Sequence, residues 1–182
     1  MRLIELKERR ITKSLKTAVL KWANHNLIYP LPNYRIEELL SLPVRPTAPV
    51  TLYRGLLFSD HRETKFRDAI EAKALTFPME WYRPSSWTTE QYVADGFARN
   101  ANVGDDNVMA QIHNQQRWKD SEIDGVLGIV LRVTASPDQI ICGLDYLGLE
   151  NEFWREHEFI LKAGALTVTI VQAYDGKGPI SL

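Results

Sequence analysis

Cysteine is almost missing from this chain: its 182 residues hold one, Cys142. A single thiol excludes an intramolecular disulfide framework and a cysteine-rich zinc site. Neither charge predominates. Lys plus Arg number 22 and Asp plus Glu 23, a formal net charge of −1. That excludes a polybasic nucleic-acid coat or an acidic disordered tail as a description of the whole chain. Long apolar runs are absent as well. The longest, Gly125 to Leu131 with glycine counted, falls far below the roughly 20 residues of a membrane-spanning helix. The opening MRLIELKERR places charges where a signal peptide needs an apolar core, so no secretion signal is expected. No repeat and no low-complexity run occurs. What remains is 45% apolar and 25% charged. This is the balance of a soluble globular domain in a reducing compartment, expected to be the cytoplasm.

The charge that is present is unevenly spread. Residues 1–25 carry seven basic side chains (Arg2, Lys7, Arg9, Arg10, Lys13, Lys16, Lys21) against Glu5 and Glu8, a net +5, and the remainder is −6. A basic first segment can steer an acidic partner or a nucleic acid; a solvated helix face gives the same pattern. Ile11, Leu15, Ala18, Val19 and Trp22 form the apolar stripe of a helix from about Ile4 to Asn24. Pro30 and Pro32 stop it, Asn33 is placed to cap a short helix through Ile36–Leu40, and Leu42 to Pro49 is a proline-rich connector. Residues 1–49 read as a helical preface, and residues 50–182 as the working core of a single compact domain.

After Pro49 the texture becomes strand-like, with Val50 to Arg54 rich in β-formers. Arg62 to Ala72 favours a helix, Ala74 to Phe77 a short strand, and Glu80 to Trp87 an extended segment. Thr89 to Asn100 reads as a helix capped by Thr88 or Thr89, with Tyr92, Val93, Phe97 and Ala98 as its stripe. Asn107 to Trp118 reads as a further helix within a polar stretch. Strands return at Val126–Val133, Gln139–Cys142, Glu156–Leu161 and Leu166–Ala173. Late strands not spaced by helices imply a mixed or antiparallel sheet, so the expected class is α+β.

Three short motifs carry related chemistry. In Thr51–Leu52–Tyr53–Arg54–Gly55–Leu56, an arginine ends an apolar strand beside a glycine. A guanidinium there is a fork for phosphate, and glycine lets a ligand approach the backbone; a solvated edge-strand arginine gives the same letters. In Ser85–Ser86–Trp87–Thr88–Thr89, alternation puts Ser86 and Thr88 on one face, where they can orient a ribose hydroxyl or a carboxylate; an ordinary capped helix start is the alternative. In Arg155–Glu156–His157–Glu158–Phe159–Ile160–Leu161, two carboxylates two residues apart share one strand face, roughly 6–7 Å apart. Like charges so placed raise each other's pKa; an edge strand guarded by charge is the alternative.

The order Arg, then Ser-x-Thr, then Glu-x-Glu resembles the arginine–serine–glutamate class of mono-ADP-ribosyltransferases. Small size, the Ser-Trp-Thr-Thr wording and the preface look most like phage or bacterial members. The resemblance spans about Thr51 to Leu161. It implies a mixed or antiparallel sheet of the ADP-ribosyltransferase type, with NAD as substrate and a target protein presenting an arginine as acceptor. The setting would be a bacterial cytoplasm, a phage host's included. It implies no metal and no membrane partner, and leaves nucleic acid only the basic first helix.

Residue by residue, Arg54 would hold the dinucleotide phosphate and ribose, and Gly55 would sit where backbone groups hold the nicotinamide amide. Ser86 would orient the catalytic glutamate, and Thr88 would support the site. Glu158 would bind the nicotinamide-ribose 2′-hydroxyl and stabilise the oxocarbenium-like transition state, and Glu156 would orient or deprotonate the acceptor. Phe97 would pack near the nicotinamide. Gly143 to Arg155 would be the target-facing loop, with Tyr146, Phe153 and Trp154 as its aromatics. Trp87 departs from the family's pattern, which has a small hydroxyl residue at that place. An NAD glycohydrolase on the same fold and a catalytically silent binding module are the rival readings.

The chemistry is self-consistent. Breaking the nicotinamide–ribose bond builds positive charge on the anomeric carbon, which an ionised carboxylate stabilises. A protonated guanidinium acceptor needs a second carboxylate to take its proton. Other signals are weaker. His25, His61, His113 and His157 show no metal-ligand spacing, and no G-x-G-x-x-G supports a Rossmann site. Asp175 to Pro179 reads as a tail turn, and Cys142 as core.

Overall fold

A computed structural model describes residues 11–25, 30–58, 64–99, 127–149, 157–175 and 178–182. Thr12 accepts the Leu15 amide at 3.1 Å and opens helix α1, Lys13–His25. The stripe read from the sequence faces inward, with Leu15, Val19 and Trp22 buried. Residues 1–10 lie outside the described set, as does the expected helix over 107–118. Helix α2 spans Asn33–Leu40. Asn33 is its first residue and Pro32, extended at φ −63° and ψ 145°, holds the capping place without a side-chain bond. Proline's fixed φ already suits that place, so the expected asparagine cap is not needed.

The strands are β1 (Val50–Phe58), β2 (Thr76–Trp81), β3 (Ser85–Thr88), β4 (Leu127–Ala135), β5 (Ile140–Gly143), β6 (Glu158–Leu161), β7 (Gly164–Asp175) and β8 (Gly178–Pro179). Helix α3 (Thr64–Glu71) lies between β1 and β2, and α4 (Gln91–Ala98) follows β3. Every described pairing is antiparallel, in the order β2-β7-β4-β1-β3-β6-β5, with β8 on β7. The class is α+β with an antiparallel sheet.

Two departures matter for the site. Strand β1 does not end at Arg54. It pairs with β4 along its full length, from Val50↔Ala135 to Phe58↔Leu127, and nine residues of ladder carry the chain straight through Gly55. On its other side β1 meets β3 at one register pair, Tyr53↔Thr88. The sheet is therefore nearly divided between β1 and β3.

Alternation sorts the side chains onto two faces. One face carries Leu52, Trp87, Phe159 and Leu161 into the largest core, which α3 closes with Phe66. On the other face, β5 and β6 send Ile141, Cys142 and Ile160 against Leu15, Val19 and Trp22 of α1 and Leu39 of α2. Farther along that face, α4 lies over β1 and β4 through Ala94, Ala98 and Val130. The helical preface thus shares a core with the sheet. Leu15→Ala is expected to destabilise the whole domain by about 2–5 kcal/mol. Urea unfolding checks this: an independent preface would leave the main transition unmoved.

Candidate functional site

The near-division of the sheet decides where the site can be. Strands β1 and β3 separate past Tyr53↔Thr88, while α1 and α4 cover the same face on either side. Between them lies a pocket of about 260 Å³. Tyr53, Arg54 and Gly55 of β1, Ser86, Trp87 and Thr88 of β3, and Glu158 of β6 form its floor. Val93, Ala94 and Phe97 of α4 and Ala23 of α1 wall it.

Strand register places the polar groups. Strand β3 pairs with β6 through Ser86↔Ile160 and Thr88↔Glu158. Ser86, Thr88 and Glu158 therefore share one face, and Trp87 takes the other. There Trp87 is 1% exposed, donates Nε1–H to Ser85 Oγ at 2.8 Å, and meets Trp81 edge-on at 5.6 Å. The departure from a small residue at this position is a core residue on the far side of the strand. The Ser86 hydroxyl donates to Glu158 Oε1. Thr88 Oγ1 accepts the Glu90 amide at 3.0 Å. Glu90, rather than Thr88 or Thr89, holds the capping place of α4, because the Thr88 hydroxyl ties down that last extended residue.

Arg54 reaches the pocket differently. Its neighbours at alternate positions, Leu52 and Leu56, face the large core. Its guanidinium lies over the Trp81 ring at 5.2 Å and donates Nη1–H to the backbone oxygen of Ser86. It thus crosses the gap between β1 and β3. Arg54 Nε is buried without a hydrogen-bond partner. Burial pushes the guanidinium down to about 10, and the Glu158 charge opposes that shift. Arg54 is still cationic at neutral pH.

Comparison of the chain with protein-family models, curated proteins and solved structures finds no match.

The pocket brings together Arg54, Gly55, Ser86, Thr88, Phe97 and Glu158. Glu158 is 5% exposed, and Phe97 offers a half-exposed ring at the rim. Glu156, Phe153 and Trp154 lie outside the described residues. The expected strand over Glu156–Leu161 is shorter: β6 starts at Glu158, and His157 before it has φ +41°. The expected shared face of Glu156 and Glu158 involves a residue outside the described set. Tyr146 of the expected target-facing loop is exposed beside Phe159, at 6.3 Å between ring centroids. Among the described residues no cluster of His, Cys, Asp or Glu could hold a metal, and no helix is long and apolar enough to cross a membrane.

Tyr53, Ala23, Val93 and Ala94 line the pocket, and none was singled out from the sequence for the site. Their letters are those of any apolar strand or helix. Trp81 beneath Arg54 has no local signal either, since it arrives from the far edge strand.

Proposed function

We propose that the chain is an NAD-dependent mono-ADP-ribosyltransferase acting on arginine side chains, on an ADP-ribosyltransferase type of α+β fold. One observation carries the reading. Arg54, Ser86 and Glu158, far apart in sequence and on three strands, converge on one pocket, with the serine hydroxyl on the glutamate. Arg54 lines the pocket, and its guanidinium is suited to hold a phosphate or ribose oxygen. At about 260 Å³ the pocket lies just below the roughly 300–1,000 Å³ of pockets that take whole drug-sized ligands, a size for one end of a dinucleotide. Phe97, Val93 and Ala94 give an apolar wall opposite the carboxylate, suited to a flat nicotinamide ring.

In the reaction the nicotinamide–ribose C–N bond breaks and nicotinamide leaves neutral with the bonding pair. Glu158 stabilises the positive anomeric carbon, and Ser86 holds its carboxylate. An acceptor guanidinium nitrogen bonds to that carbon, and its proton passes to Glu156. Labelled NAD incubated with bacterial lysate and the wild-type chain should give a discrete labelled band, removable by hydroxylamine and absent with Glu158→Ala. Nicotinamide release without labelling would favour the glycohydrolase, and neither signal the silent binding module. Glu156→Gln is expected to lose transfer while retaining hydrolysis. Equal loss of both, followed by nicotinamide release and target labelling in parallel, would overturn this division of labour.

A further inference from the structure

We propose that Asp145 and His157 are positioning residues for Glu158. The inference rests on the transferase reading and extends it to side chains outside the pocket. Glu158 is the first residue of β6, so its placement depends on how the chain turns into that strand. The turn is made by His157 at φ +41°, one of two non-glycine positive φ values among the described residues. Such a backbone persists where its surroundings over-determine it.

The surroundings are a three-point clasp made by consecutive residues. Leu144 N–H donates to the Glu158 backbone oxygen at 2.9 Å. The Asp145 carboxylate pairs with His157 Nδ1 at 2.9 Å. Tyr146 packs edge-on against Phe159. Gly143 leaves room for those rings, since a Cβ there would stand 2.9 Å from each. Residues 144, 145 and 146 thus hold 158, 157 and 159. The clasp fixes the kink at His157 and, through it, the direction in which the Glu158 carboxylate leaves the backbone toward Ser86. Neither Asp145 nor His157 lines the pocket, and their pair is partly exposed at 39% and 43%, so its rupture need not unfold the core.

The test compares Asp145→Ala, His157→Ala and His157→Asn with the wild-type chain. Asparagine tolerates a left-handed backbone and keeps a donor for Asp145. Nicotinamide release from NAD gives kcat and KM, and amide hydrogen exchange reads Leu144. Asp145→Ala and His157→Ala are expected to lower kcat about tenfold to a hundredfold, with KM for NAD and the melting temperature near wild type. His157→Asn should restore most of the rate, and the Leu144 amide should lose protection in Asp145→Ala. Wild-type kcat in Asp145→Ala, or a loss confined to KM, overturns the clasp with the transferase reading intact. An inactive wild-type chain overturns the transferase reading, and exchange then decides the clasp: unchanged Leu144 protection in Asp145→Ala overturns it.

Discussion

Glu158→Gln is expected to lower the kcat of nicotinamide release by about 10²–10³-fold. The substitution keeps the shape of the side chain and an oxygen to accept the Ser86 hydroxyl, and it removes the negative charge. A ground state with an intact C–N bond hardly feels that loss. In the proposed transfer the transition state does, because positive charge then develops on the anomeric carbon beside Glu158. The loss should therefore fall on kcat, with KM for NAD changed little. Glu158 is 5% exposed and its charge supports Arg54, so circular dichroism must accompany the rates to show that the variant is folded. A folded variant with release within about threefold of wild type would leave the carboxylate without its assigned task, since a stabilised transition state cannot lose its counter-charge so cheaply.

Gly55→Ala should produce the second large effect, on stability and site together. A Cβ at Gly55 would stand 1.9 Å from the Ala94 carbonyl oxygen, 2.7 Å from the Ala98 nitrogen and 2.8 Å from Phe97 Cβ. Two of these are helix backbone, which no rotamer change relieves. Helix α4 is also held from sliding. Gly128 also meets the Ala98 carbonyl closely, with a hypothetical Cβ at 2.2 Å, and Asp95 accepts the hydroxyl of Tyr174 on β7. One methyl must therefore lift the helix, and destabilisation of about 3 kcal/mol or more is expected, the upper end for overpacking. Because α4 carries Val93, Ala94 and Phe97 into the pocket, NAD turnover should fall even in the fraction that stays folded. Denaturant unfolding checks the first part and initial rates the second. A stability change under about 1 kcal/mol would show that α4 yields more readily than its two glycine contacts imply.

The sequence was legible where pattern and period coincide. Leu15, Val19 and Trp22 announce an inward helix face, and α1 buries them. Ser86 and Thr88, two apart on an extended segment, share a face as alternation requires. The order of Arg54, Ser86 and Glu158 along the chain marked the residues that meet in the pocket. What was not legible depends on partners distant in sequence. The continuation of β1 past Arg54 is imposed by β4, and Trp81 comes under Arg54 from the opposite edge of the sheet. Ala23 faces the pocket only because α1 packs on Ile160 and its neighbours. The left-handed turn at His157 has no sequence mark, since histidine is not a residue that demands it.

The pocket's halves are also separated in time. Arg54 precedes Ser86 by 32 residues, and Ser86 precedes Glu158 by 72. A ribosome adds about 5–20 residues per second, so arginine and serine emerge seconds before the carboxylate they are to work with. Until β6 is made, β3 has nothing to pair with on one side and Ser86 has no carboxylate to orient. On this reading the unfinished chain carries no competent centre, and the cell making it is spared activity from nascent or truncated products that stop short of Glu158.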